Sequence, residues 1–413
     1  MRRSSLALVM LLGFGLASTA HLDARESNGT PAARASFDQG EAAARAGKHA
    51  DATAAFRKAI EADPDFVQAH QRFIESTRRE GAAAAAGLSH LYETWAKEQP
   101  KRAVYRWALG FLAKSPAEAG VLFDEALAID PAFARAHYSL ATVADLRGDW
   151  DAQRRHLRAA VDGNPDDPQY LVRYARAHKD GDPKRFRELA RAAVAKFPQS
   201  GAAAEALYHL ATDSPAAERR AMLERLRDEY PADKFSYTSL AMDVYYGELT
   251  EPSDALALAR DVAKWLPASR TWARRVTYQE TAVKAEALIA GRRFAEALGV
   301  LDTVERPSGF HGETWVLMKA EAAAGAGDAQ QAYSTLVDSV AAVPADRVQA
   351  ALAMHGAALK KTPQQIDADV WRVRDARATA AAPFELAGSR DGKSVRLADY
   401  RGRVVLLTFW FPG

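Results

Sequence analysis

The 413 residues contain no cysteine, which excludes disulfides, thiolate metal sites, cysteine nucleophiles and a lipid-anchoring cysteine together. Charge of one sign is also lacking. The 55 Lys and Arg balance 53 Asp and Glu to a net +2, so neither a nucleic-acid footprint nor an acidic tail dominates, and no nucleic-acid partner is expected. With only 18 prolines the chain is neither collagen-like nor a Pro-rich spacer. Beyond the first twenty residues no segment is long and apolar enough to span a membrane. Catalytic patterns are missing as well: the ten histidines are scattered with no His-Glu-x-x-His and no pair framed by carboxylates in sequence, and Gly-x-Ser-x-Gly is absent. No catalytic residue, cofactor site or metal site is expected. What remains is 48% hydrophobic and 26% charged, a globular balance with room for two or three domains at ~150 residues each.

Arg2 and Arg3 precede the 11-residue apolar run Leu6-Ala-Leu-Val-Met-Leu-Leu-Gly-Phe-Gly-Leu16, and Ser18-Thr19-Ala20 supplies small residues at a cleavage site. That is the three-part layout of a secretory leader. The run is well short of the ~20 residues that span a bilayer, which favours cleavage over an uncleaved anchor. The arginine pair leaves twin-arginine export as an alternative to ordinary secretion. Residues 1–20 are therefore expected to be a signal peptide and 21–35 a linker. The mature protein is expected to be exported, periplasmic or otherwise extracytoplasmic, with no membrane span after cleavage.

From about Ser36 the chain reads as amphipathic helices broken at regular intervals by proline. Pro64, Pro131, Pro165, Pro198, Pro231 and Pro267 lie 67, 34, 33, 33 and 36 residues apart, and Pro100 falls near the middle of the first, double interval. Offsets inside the period recur too. Ala52, Phe56, Ala59 and Pro64 return as Ala119, Phe123, Ala126 and Pro131. Gly148, Leu157, Ala160 and Pro165 follow the same frame, as do Gly327, Ala332, Leu336 and Pro344, with Ser339 replacing an alanine. Each residue type has a mechanical role. Alanine lets helices cross closely, and the aromatic or leucine fills the hole between neighbouring hairpins. Glycine permits the turn, and proline ends the second helix. Two stretches strain the frame: five alanines between Gly81 and Gly87, and a unit several residues too long that ends near Pro307.

A two-helix unit repeating near 34 residues resembles the tetratricopeptide repeat, over residues 36–345 in about nine units. The resemblance implies a mostly α fold: an α-solenoid whose stacked hairpins form a superhelix with a concave face that receives a protein or peptide client. It places Arg135, Tyr138, Thr142, Gln169, Val172 and Arg176, on the first helices of central units, in a peptide-binding groove where the arginines could receive a carboxylate.

Residues 346–380 are expected to form a helical connector, with helices over 346–361 and 364–378. The register then changes. Phe384-Glu-Leu386 and Val395-Arg-Leu397 are strand candidates joined through Asp391-Gly392, a hairpin turn signal. Leu397-Ala-Asp-Tyr-Arg-Gly402 reads as one helical turn. Val404-Val-Leu-Leu-Thr-Phe-Trp-Phe411 reads as a buried central strand. Gly392-Lys393-Ser394 is not a phosphate loop, because Ala387 stands where that motif needs glycine and a strand follows instead of a helix.

The order of these segments is similar to the opening of the extracytoplasmic thioredoxin-like family, which includes TlpA-like thiol–disulfide oxidoreductases and their redoxin and peroxiredoxin relatives. The resemblance covers residues 382–413. It implies that 381–413 is the truncated N-terminal part of such a domain, whose Cys-x-x-Cys would follow Phe409-Trp410 at a helix N-terminus. No family catalytic residue falls on this chain, because Phe409-Trp410 is followed by Phe411-Pro412-Gly413 and the first of those cysteines would be the residue after Gly413. Two functions follow as expectations: an exported scaffold carrying a thiol–disulfide oxidoreductase or peroxidase domain, or a non-catalytic adaptor of the cell envelope.

Overall fold

A computed structural model describes residues 27–387 and 394–408. The expected leader at 1–20, the hairpin turn Asp391-Gly392 and residues 409–413 lie outside the described residues. The chain folds as two compact units, Met1–Met242 and Asp243–Gly413, and is mostly α-helical.

In the first unit helices succeed one another as antiparallel pairs. These are α1 (Pro31–Arg45) with α2 (His49–Ala62), α6 (Ala103–Leu112) with α7 (Pro116–Ile129), α8 (Ala134–Leu146) with α9 (Trp150–Gly163), α10 (Pro168–Arg176) with α11 (Pro183–Lys196), and α12 (Gly201–Thr212) with α13 (Ala216–Glu229). Between α2 and α6 come α3 (Val67–Glu80), the single turn α4 (Ala82–Ala85) and α5 (Leu88–Glu98). The break before α4 falls at Gly81, whose φ of +128° is open to glycine.

The first helix starts at Pro31, earlier than the repeat boundary expected at 36. Thr30 caps it by accepting from the Ala33 N–H at 3.3 Å, and Pro31 occupies a first-turn position where its missing N–H costs nothing. The recurring frame has its physical counterpart. Phe56, Phe123 and Leu157 are buried between helices, and Ala52, Ala59, Ala126 and Ala160 are fully enclosed at close crossings. Asp63, Asp130 and Asn164 sit as caps just before the prolines that end each pair.

The second unit carries α15 (Pro252–Trp265), the 21-residue α16 (Arg270–Ala290), α17 (Phe294–Leu301), α18 (Gly309–Gly325) and α19 (Ala329–Ala342). The unit boundary falls within α14 (Ser236–Glu248). The length of α16 accounts for the overlong period ending near Pro307, and Ala297 and Leu301 still bury from the short α17. Leu336, Ala332 and Ser339 are buried at the same offsets as in the first unit.

Residues 346–380 form a further helix pair, α20 (Asp346–Ala358) and α21 (Pro363–Arg377), packed on α19. Arg374 donates to the Val340 and Ala341 carbonyls at 3.1 and 3.2 Å, and Asp369 accepts from the Tyr333 hydroxyl at 2.8 Å. A capping box at Thr362 and Gln365 starts α21.

The C-terminal strands are β1 (Glu385–Ala387) and β2 (Ser394–Arg396), antiparallel with Leu386 opposite Val395. A single 3-10 turn, Leu397–Tyr400, follows. The central strand expected at 404–411 is not formed over its described part. Residues 404–408 carry no ladder, and Val404 and Leu406 are 103% and 89% exposed. A strand exists only through neighbours that take its N–H and C=O groups, and the sheet here is two-stranded, β1–β2. No helix among the described residues is long and apolar enough to cross a membrane.

Candidate functional site

Within the first unit, α1, α3, α8 and α10 are the leading helices of their repeats, and their faces border one groove of about 580 Å³. Gln68, Gln71 and Arg72 come from α3, Arg135 and Tyr138 from α8, and Gln169 from α10. A second recess of about 380 Å³ continues from it past Gln71, Arg135 and Tyr138 to Trp107, Phe111, Thr142 and Leu146. Polar amides and guanidinium groups line one stretch, and aromatic and aliphatic groups the next.

Local structure fixes the charged groups. Arg72 grips Glu41 of α1 with two parallel hydrogen bonds, Nε to Oε1 at 2.5 Å and Nη2 to Oε2 at 2.8 Å, and reaches Glu75 at 3.0 Å. Those bonds hold the Glu41 carboxyl below its usual range and raise Arg72 above its own. Asp167 caps α10 by accepting from the Gln169 N–H at 2.8 Å, and its other oxygen stands 4.0 Å from Arg135. The Arg135 guanidinium also lies over the Tyr138 and Tyr170 rings, 5.8 and 5.5 Å from their centroids. The groove therefore offers cations that its own carboxylates already half-neutralise.

Of the six residues expected to face a ligand, Arg135, Tyr138 and Gln169 line the groove and Thr142 lines the adjoining recess. Arg176 lines neither; its guanidinium binds the buried Glu205 of α12 at 2.9 Å. Nearby, burial, followed by the charges of Arg176 and Lys179, pushes His209 down to about 4. His209 is thus neutral at pH 7, and its 3.9 Å approach to Glu205 is not an ion pair. Val172 does not face the groove. It is buried against the neighbouring helices, and Arg173 takes the outward position, over the Tyr138 ring at 5.8 Å. Along α10 the outward line runs through 169, 173 and 176, and at 100° per residue Val172 falls to its side.

Gln68 and Gln71 were reachable by arithmetic, since they stand 67 residues before Arg135 and Tyr138, the double period between Pro64 and Pro131. No group of three His, Asp or Glu with metal-ligand geometry occurs among the described residues.

The helix pairs, their buried Ala and Phe offsets and their turn glycines match a known pattern. Residues 13–65, 105–168 and 147–201 fit the family model of the tetratricopeptide repeat. Those stretches carry tetratricopeptide repeats. Among solved structures, a thermophilic tetratricopeptide protein of Thermus thermophilus is 16% identical, with 44% of this chain and 98% of that one covered at a TM-score of 0.34. MamA is 19% identical over 40% of this chain and 91% of that one, TM-score 0.27. YrrB, described as having an unusual peptide-binding site, is 16% identical over 45% and 96%, TM-score 0.32. No curated protein matches the sequence. Stacked tetratricopeptide repeats bury their conserved small and aromatic positions in hairpin packing, and the leading helices are left to meet partners. The repeat region of this chain is a protein–protein interaction scaffold.

Proposed function

We propose that this chain is an exported scaffold that holds an extended peptide of a client protein in the groove of its first unit. The observation that carries the reading is the convergence of Gln68, Gln71, Arg135, Tyr138 and Gln169, from the leading helices of separate repeats, on one 580 Å³ groove. Amide side chains donate and accept at once, which suits main-chain peptide groups, and Trp107 and Phe111 in the adjoining recess suit an apolar side chain. Screening the full chain against a random peptide library should enrich binders, and Arg135→Ala with Gln169→Ala should weaken them at least tenfold. Equal binding by the double variant would refute the groove. Export rests on the leader pattern at 1–20; amino-terminal sequencing of the protein from its native host should begin after Ala20, and an intact Met1 would overturn it.

A second reading draws on the C-terminal segment. Leu386 opposite Val395, followed by the turn Leu397–Tyr400, supports the thioredoxin-like resemblance of 382–413. In that reading the scaffold presents its client to a thiol–disulfide or peroxide-reducing centre. Reading the coding sequence beyond Gly413 decides it: an in-frame Cys-x-x-Cys within a few codons supports a redox partner domain, and a stop codon leaves the adaptor alone.

A further inference from the structure

Outside the groove, the α8–α9 hairpin brings two imidazoles together that lie 19 positions apart in the chain. His137 Nδ1 and His156 Nδ1 are 3.1 Å apart, with ring centroids 5.4 Å apart and planes tilted by 37°. His137 Nε2 lies 3.1 Å from the Pro131 carbonyl. A carbonyl oxygen only accepts, so Nε2 carries the proton and His137 Nδ1 keeps its lone pair. Metal-bound histidines are oriented in the same way, the remote N–H held by a carbonyl or carboxylate.

We propose that His137 and His156 together bind one divalent transition-metal ion of the zinc, nickel or copper type, each through Nδ1. Two nitrogen ligands ~2.05 Å from a tetrahedral ion are about 3.3 Å apart, close to the separation the fold has already set. In the ion-free hairpin the His156 Nδ1–H donates to His137. On binding, that proton moves to His156 Nε2 by tautomer exchange, so both lone pairs face the ion and no proton need be released. With that exchange made, ring rotation lets the two Nδ1 lone pairs converge on one point.

The surroundings are suited to a hydrated cation. His156 borders an open recess of about 230 Å³ with Asp124 of α7 and Asp149 at the start of α9, room for several waters at about 30 Å³ each. Arg147 lines the same recess and opposes a cation. Burial, first, then the neighbouring His137 and the Arg155 cation lower the affinity of His156 for a proton, while Asp124 and Asp149 raise it, so both carboxylates act on the ring and Arg155 opposes them. One Asp149 oxygen is committed to capping α9 through the Ala152 N–H at 2.9 Å. Because no third ligating group joins the pair among the described residues, water completes the shell, and the ion is exchangeable. Its consequence is local: it staples α8, which carries Arg135 and Tyr138, to α9.

The test is calorimetric titration of the full chain with zinc chloride alone at neutral pH. The expected result is saturable binding of one ion, weakened at least tenfold by His137→Asn and by His156→Gln. No saturable binding, or binding that survives both substitutions, overturns the proposal. Should either variant lose its helical circular dichroism, nitrogen NMR of the imidazoles in the unaltered chain decides. Zinc must shift the Nδ1 resonances of His137 and His156, and shifts confined to other histidines refute the site.

Discussion

His70 is enclosed between α3, α5 and the loop before α3, with Nδ1 2.9 Å from the Tyr92 hydroxyl and Nε2 2.9 Å from the Pro64 carbonyl. Burial pushes its pKa down to about 4, against the pull of the Pro64 carbonyl and of Asp65 and Asp63. The folded value lies below the unfolded one of about 6.5, so acid favours the unfolded chain, which binds the proton more readily. The stability is fully present above about pH 6.5 and falls by about 1.4 kcal/mol per pH unit as pH drops toward 4. His209, also lowered to about 4, adds in the same direction. Urea midpoints of the first unit's transition in the full chain should therefore drop steadily between pH 7 and pH 5. A flat profile would mean that His70 is not held neutral. Gly110 of α6 is a second single-residue case. A Cβ there would drive into the Phe123 ring of α7, so Gly110→Ala should cost about 1–3 kcal/mol by overpacking. Thermal melts should show that loss and its partial recovery when Phe123→Leu is added.

An element-scale constraint sits in the hairpin turns. Gly148 between α8 and α9 has φ of +70°, as Gly327 between α18 and α19 has +93°, at the same place in the repeat. Nothing crowds a Cβ at Gly148, so the cost of Gly148→Ala is conformational alone, about 1–2 kcal/mol. Chemical denaturation should show that loss with the slope unchanged; no loss would mean the turn relaxes. These elements were legible because repeat chemistry is local. Ala at crossings, Phe or Leu in the hole, Gly in the turn and Pro after the second helix act within one hairpin, and the buried Phe56, Phe123, Leu157 and Leu336 occupy the places their spacing predicts. The segment 404–408 was misread for the opposite reason. Its Val and Leu have strand propensity, but propensity is a fit to neighbouring strands, and none among the described residues pairs with it.

At the scale of the molecule, the second unit ends in apolar surface that its own packing leaves uncovered. Leu386, Val404, Leu406 and Leu407 are exposed, and the uncharged run 404–411 has the composition of an aggregation-prone segment. A chain ending at Ala380 keeps α21 and its contacts to α19. It should scatter less light at high concentration than the 413-residue chain and bind groove peptides equally well. Equal scattering by the two chains would show that the exposed segment is harmless.

Local sequence sets the class of the fold, the period and the burial of Phe56, Phe123, Leu157 and Leu336 inside their hairpins, since all of these depend on side chains within one or two turns of each other. The tertiary structure alone decided which leading-helix residues share a groove. Helical periodicity assigns a side chain to a broad face, and only the packing of neighbouring repeats determines which part of that face stays open. Hence Val172 is turned inward, Arg173 lies over the Tyr138 ring, and Gln68 and Gln71 join Arg135 and Tyr138 in the groove. The meeting of His137 and His156 has the same origin: their separation in the chain says nothing of contact until the α8–α9 crossing sets their relative rotation and brings the two Nδ1 atoms within 3.1 Å.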